Sequence, residues 1–248
     1  MDLVYIVRNG DENNELLYSL RSVQKFVPSF NNIVIVGYKP EWINNDNIIY
    51  IPTHQRRIKS SWENARNNFL TACKSSLISD DFILMNDDFI ATRPIRNWNE
   101  SLSKVKNSIK QQIKEWEELN IKSRYTDAFV SLADFLKDNY GIKTPMNYEL
   151  HIPMVINKKK ALELFSKPEV QEFIDNNYVS LYRSLYGNYY NIEYNAIIND
   201  VKFYNVEPAE ITTEWISVFD GWINNHRRYP RLNRFLFEKL NKKSIYEK

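Results

Sequence analysis

Asn86, Asp87 and Asp88 follow directly on four apolar residues in the stretch DDFILMNDDFIATRPI, which begins at Asp80. An apolar run of that length reads as a buried strand. Two adjacent carboxylates at its end repel each other, and burying either is costly unless something positive sits beside it. A divalent cation is one solution. Mg²⁺ and Mn²⁺ prefer oxygen ligands, often one or two carboxylates together with substrate phosphates. That arrangement recurs in enzymes that use nucleotide-sugars, where the metal bridges carboxylate and diphosphate. The plain alternative is a helix-capping Asp pair in a solvated loop.

Two further residue types could do chemistry. His151 lies in HIP within an apolar segment, and histidine is the usual general base near neutral pH. It could equally be a hydrogen-bonded core histidine. Arg183 lies in LYRSLY on an aromatic helical face. There it either stacks on tyrosine or binds an anion in bidentate fashion. His54, just after a predicted strand, is either a further candidate or a solvent-facing loop residue.

These residues need a frame at strand ends. LVYIV from Leu3, NIVIVG from Asn32, NIIYIP from Asn47 and DFILMN from Asp81 read as strands. NNELLYSLRSVQKFV and SSWENARNNFLTACKSS read as helices between them, with apolar residues at helical spacing. Repeated strand–helix units of this kind favour a mainly parallel α/β sheet covered by helices, and such sheets bind ligands beyond the carboxyl ends of their strands. From Asn99 the pattern changes. Leu102, Val105, Ile109, Ile113 and Trp116 repeat at about a heptad, and a second helix follows to Gly141. This predicts a helical hairpin, residues 99–141, inserted after the Asp-bearing strand on the acceptor side of the site. ELHIPMVIN from Glu149 resumes a strand, KKKALELFSKPEVQEFIDNN and YVSLYRSLY are helical, and VKFYNV from Val201 reads as a strand.

A chain of 248 residues suits one such domain, spanning 1–248, and its 43% hydrophobic content suffices for a sizeable core. No apolar run approaches the roughly 20 residues of a membrane span. The opening MDLVYIVRNGDE has neither a basic n-region nor a small-residue cleavage site. Cys73 is the only cysteine, which excludes an intramolecular disulfide and a cysteine-based zinc site and fits a reducing cytoplasm. The net charge of +2 conceals a basic tail: residues 221–248 carry eight Lys/Arg against two Asp/Glu. Arg227, Arg228, Arg231 and Arg234, with Tyr229 and Phe235 between them, would suit a nucleic-acid backbone and an unstacked base. A solvated terminal helix is the plainer reading.

Several segments, taken in order, resemble the Stealth family, which includes capsular polysaccharide phosphotransferases. DLVYIVRNG is similar to its opening block, and Glu15 to Ile43 match its second block well. Asn86, Asp87 and Asp88 match its NDD, His151 and Pro153 its HxP, and Tyr182, Arg183 and Ser184 its FRS. The family's LPTFNS segment is replaced by SSWENARNN, with Asn64 as the one equivalent. The family's fourth block has no clear counterpart, and IIND, ending at Asp200, resembles at most a remnant of it. The resemblance implies a GT-A-like fold with an inserted helical hairpin, and Mg²⁺ or Mn²⁺ held at Asp87 and Asp88. It implies a catalytic His151 and a phosphate-binding Arg183 working with Asp88, with Asn9, Arg21, Asn64 and Asn86 contacting the donor. The donor would be a nucleotide-sugar, UDP-linked, and the product a sugar or sugar-1-phosphate on an acceptor hydroxyl. Length and wording are also similar to small phage-borne glycosyltransferases, which implies a host cytoplasm and leaves glycan or hydroxymethylated DNA as acceptor. A non-catalytic nucleotide-sugar or glycan-binding module is the remaining alternative.

Overall fold

A computed structural model describes residues 1–10, 12–55, 61–102, 104–177, 179, 181–202, 213–223 and 225–248. The central sheet is laid down by buried β-branched runs. β1 (Asp2–Val7), β2 (Ile33–Gly37), β3 (Ile49–Pro52) and β4 (Asp81–Asn86) are mutually parallel, in the order β3-β2-β1-β4. α1 (Asn14–Phe26) joins β1 to β2, and α2 (Ser61–Lys74) precedes β4. β5 (Phe89–Ala91), α3 (Trp98–Leu102) and β6 (Lys104–Val105) come next. The antiparallel pair α4 (Ile109–Glu118) and α5 (Arg124–Tyr140) leads to β7 (Met154–Asn157), which adds to β4 antiparallel as the fifth strand. α6 (Lys158–Phe165), α7 (Pro168–Asn176), α8 (Tyr182–Tyr189), β8 (Ala196–Ile197), β9 (Trp215–Ser217) and α9 (Pro230–Leu240) complete the described elements. The chain is thus α/β with a mainly parallel sheet flanked by helices, as its sequence predicts.

Successive strand residues point to opposite faces, and both faces are covered. Val4, Ile6, Val34, Val36, Phe82 and Leu84 pack with Phe69 and Ala72 of α2. Leu3, Tyr5, Ile33, Ile35, Ile83 and Met85 pack with Leu16, Leu20 and Val23 of α1. α1 and α2 therefore cover opposite faces. β1 lies between β2 and β4, so the order of connection reverses at the β1–β4 boundary. A crevice opens there, beyond the strand ends.

The expected elements differ in three places. The helix anticipated through 102–116 is broken: Val105 pairs with Ile197 in a two-stranded ribbon, and Ser108 then caps α4 by accepting a bond from the Gln111 amide at 3.2 Å. The hairpin proper is α4–α5. The strand anticipated from Glu149 begins only at Met154. Leu150 and Ile152 give their carbonyls to Arg183 instead of to a neighbouring strand, and Pro153 has no N–H to offer. The helical run from Lys158 is split, because Pro168 disfavours a helical conformation at the residue before it and starts α7 instead. VKFYNV lies mostly outside the described residues. Among the described residues no helix is long and apolar enough to cross a membrane.

Candidate active site

The crevice at the ends of β1 and β4 is a cleft of about 480 Å³. β4 delivers Asn86 to its floor, and the turn into β5 presents Asp87 and Asp88, each 8% exposed. Glu15, from the first turn of α1, and Arg8, just past β1, close one side. Trp62, Asn64 and Asn68 of α2 form another wall, and Tyr125, at the start of α5, brings the hairpin to the cleft. His151, Lys202 and Phe219 complete the lining.

The positive object beside Asp88 is a lysine. Lys202 Nζ lies 2.6 Å from Asp88 Oδ2, which also accepts the Ser217 hydroxyl at 2.6 Å. β9 pairs with β5 and so sets Ser217 opposite Phe89. Burial pushes the Asp88 carboxyl up, but Lys202 and His151 outweigh it and hold the group below its ordinary range. Asp87 has no such partner. Burial, then the charges of Glu15 and Asp88, push its carboxyl well above the usual range, opposed only by Arg8. Asp87 Oδ2 and Asp88 Oδ1 are buried and, among the described residues, lack a hydrogen-bond partner.

Those two orphaned oxygens fit a hard divalent cation. No group of three or more His, Cys, Asp and Glu side chains that could hold a metal exists among the described residues. A cation here would therefore take two carboxylate oxygens from the chain and its remaining ligands from water and phosphate, which is the ordinary manner of Mg²⁺.

His151 sits in the irregular segment ahead of β7 and not in a strand. Asp200 fixes it. The Asp200 carboxylate lies 2.9 and 2.8 Å from Nδ1 and also accepts the His151 backbone N–H at 3.1 Å. Burial raises the Asp200 carboxyl, yet the bonds from His151 more than offset this and keep it below its ordinary range. The imidazole edge rests on Phe89, with centroids 6.4 Å apart. With Nδ1–H committed to Asp200, Nε2 is the nitrogen left to act on a ligand.

Arg183, expected to bind phosphate, lies beneath the cleft and is 3% exposed. It donates to Ile152 O at 2.7 Å, Leu150 O at 3.4 Å and Asn86 Oδ1 at 3.2 Å, with the guanidinium 5.2 Å from the Phe89 centroid. Its fork ties the His151 segment to the end of β4. Arg21, expected at the donor, is elsewhere: it forms a bidentate pair with Glu247 at 2.9 and 2.7 Å and donates to Leu240 O. Asn9 is exposed outside the cleft lining, with its backbone N–H on Gln55. His54 is likewise exposed outside it. Asn64, Asn86, Asp87, Asp88 and His151 share the cleft.

Lys202 and Ser217 carry no sequence signal, and Glu15 shows in the sequence only as the first residue of the second matched block. The first two reach Asp88 across 114 and 129 residues. Asp200, visible only as the end of IIND, gains its meaning from the contact with His151. In the basic tail the arginines are exposed, but Tyr229 is buried and Phe235 packs inward with it. The interleaved aromatics are therefore core residues and not a base-stacking surface.

No family model matches the chain. Over 181 residues it is 28% identical to the capsular polysaccharide phosphotransferase fcs1 of Haemophilus influenzae, covering 68% of this chain and 50% of the relative. Over 91 residues it is 35% identical to a capsular polysaccharide phosphotransferase of Neisseria meningitidis serogroup B, covering 34% of this chain and 24% of the relative. The matched regions thus span half the length of the first relative and a quarter of the second. Among solved structures, the galactosyltransferase LgtC in complex with donor and acceptor sugar analogues superposes with a TM-score of 0.54, covering 99% of this chain and 98% of that one at 12% identity. The chain has the GT-A glycosyltransferase fold and is similar in sequence to the Stealth-type capsular polysaccharide phosphotransferases.

Proposed function

We propose that the chain is a transferase that takes a nucleotide-sugar donor and moves sugar-1-phosphate onto an acceptor hydroxyl. One observation carries this reading. A histidine oriented by a carboxylate faces the same cleft as two buried carboxylates with unpartnered oxygens, at the switch point of an α/β sheet. Such a site can deprotonate a hydroxyl while a neighbouring cation-ready pair holds a diphosphate.

Asp87 and Asp88 would hold Mg²⁺ or Mn²⁺, which when bound neutralises diphosphate charge as a Lewis acid. Asp200 keeps His151 in the tautomer with Nδ1 protonated, so Nε2 accepts the proton of the acceptor hydroxyl. The imidazolium formed is stabilised by the same carboxylate. Arg183 holds the backbone of the His151 segment against β4 and so fixes the base relative to the carboxylates. Asn64 and Asn86 offer neutral hydrogen-bonding groups to the donor. The polysaccharide phosphotransferases to which the chain is similar favour attack at phosphorus, releasing a nucleoside monophosphate. Attack at the anomeric carbon would release the diphosphate. The acceptor class most consistent with those relatives is a glycan.

The test is incubation with a panel of nucleotide-sugars, UDP-linked ones included, in Mn²⁺ and in EDTA, with released nucleotide read by mass spectrometry. Metal-dependent release of monophosphate is the expected result. Release of diphosphate would move the reaction to the anomeric carbon. Absence of nucleotide-sugar binding across the panel would overturn the reading.

A further inference from the structure

The cation at Asp88 raises a question that the metal reading alone leaves open. Lys202 Nζ is 2.6 Å from Asp88 Oδ2, 3.2 Å from Ser217 Oγ and 4.0 Å from the centre of the Phe219 ring. Its side chain is 9% exposed, yet it lines the cleft. An ammonium and a divalent cation cannot sit side by side on one carboxylate without strong repulsion, because the site is buried and little screened. A lysine on a flexible four-carbon stem is able to move where a fixed ligand is not. The Arg183 guanidinium donates beneath the cleft to the Leu150 and Ile152 carbonyls and to Asn86 Oδ1, and Arg8 on the rim pairs with Glu15 at 3.2 Å. Among the described residues, the Lys202 ammonium meets a carboxylate, a hydroxyl and a ring.

We propose that Lys202 is an exchangeable counter-ion. Without ligand it neutralises Asp88. When a divalent cation takes the carboxylate, the ammonium is released toward the donor's diphosphate, where it becomes a phosphate ligand. Resting on the transferase reading, this assigns to Lys202 the phosphate contact that the position of Arg183 denies it. The exchange also makes metal and donor bind cooperatively, since phosphate gives the displaced ammonium a new partner.

Two measurements test it. The first is calorimetric titration of Mn²⁺ alone, and of UDP in the presence of Mn²⁺, into the wild-type chain, Lys202→Met and Lys202→Arg. Removing the competing charge should tighten Mn²⁺ binding in Lys202→Met at least about tenfold while weakening UDP. Lys202→Arg should keep weak, wild-type-like affinity for the metal alone. Unchanged or weaker Mn²⁺ binding in a folded Lys202→Met would overturn the exchange. The second measurement needs no variant, and so survives a misfolded one. Amine acetylation of the wild-type chain, read by peptide mass spectrometry, should show Lys202 protected alone, exposed on adding Mn²⁺, and protected again on adding UDP. Lys202 reactivity indifferent to Mn²⁺, in a chain that still turns over nucleotide-sugar, refutes the exchange and leaves the transferase reading standing. A wild-type chain that binds neither UDP nor Mn²⁺ removes both.

Discussion

His151 and Asp200 make the sharpest pair of residues in the cleft, because the carboxylate contacts both the ring and the backbone of the histidine. The two should fail differently on substitution. His151→Ala removes the base and should lower turnover by roughly 10²- to 10⁴-fold, with UDP affinity unchanged, since the base acts on the acceptor. Asp200→Asn keeps the shape but lets an amide N–H face Nδ1, which favours the wrong tautomer. It should lower kcat while leaving donor KM and melting temperature near wild type. A variant whose KM rises with kcat untouched would mean that Asp200 serves binding and not the base. Arg183 behaves as a positioning residue. Truncation to Ala strands the carbonyls of Leu150 and Ile152 and leaves a void, at a cost of about 3 kcal/mol. Chemical denaturation should show that loss. A folded Arg183→Ala of wild-type stability with weakened UDP binding would restore the arginine to a direct phosphate role.

At the scale of elements, the strand ends decide what the site can be. Gly37 closes β2 at φ +117°, and a Cβ there would lie 2.3 Å from Val7 O and 2.5 Å from Asn68 Nδ2. The Val7 carbonyl already accepts from Gln55 at 2.6 Å and Asn68 at 3.2 Å, which ties α2 to the end of β1. Gly37→Ala should therefore cost about 2 kcal/mol or more, and should loosen the α2 wall that carries Asn64. Denaturant melts would show the first effect and weaker UDP binding the second; a neutral substitution would show that the β2 end can relax. The same elements explain what the sequence made readable. β1, β2 and β4 stand out because they are buried on both faces and so are almost uninterrupted in apolar residues. The carboxylate pair stands out because charges break such a run. β6 and β8 are two residues each, too short for any period to register. β7 is curtailed by Arg183, a residue some thirty positions downstream. Lys202 and Ser217 look like ordinary surface types in sequence, and only the pairing of β9 with β5 carries Ser217 to Asp88.

For the whole molecule, the last described segment acts as a clamp. α9 packs against Ile90, Ile216 and Val218, while residues beyond it return to the sheet side. Glu247 bridges to Ile43, the Asn44 amide donates to Tyr246 O at 2.8 Å, and the Lys248 amide donates to Trp42 O at 2.8 Å. The pair between Arg21 and Glu247 therefore joins α1 to a segment more than 200 residues away, and this long-range tie is what a stability measurement can isolate. Burial raises the Glu247 carboxyl, but the bonds from Arg21 and Ser244 outweigh it and hold the group below its ordinary value. Asp2 is held down in the same direction, by the Ser79 amide and hydroxyl and by Asn32 against its own burial. A carboxyl depressed in the folded state binds its proton more readily in the unfolded chain. Its contribution is thus complete above the unfolded value of about 4.3 for Glu and is lost as pH falls through the folded value. Glu247→Gln should lower stability at pH 7 by about 1–3 kcal/mol, and its loss of stability between pH 5 and pH 3 should be shallower than in the wild-type chain. The two curves should converge once the pH falls below the depressed folded value of Glu247, where the wild-type carboxyl is itself protonated, while the slope owed to Asp2 persists in both. Urea melts across that range decide the matter. Parallel curves, offset equally at every pH, would show that Glu247 stabilises the clamp by packing and backbone contacts, with its charge pair to Arg21 contributing nothing.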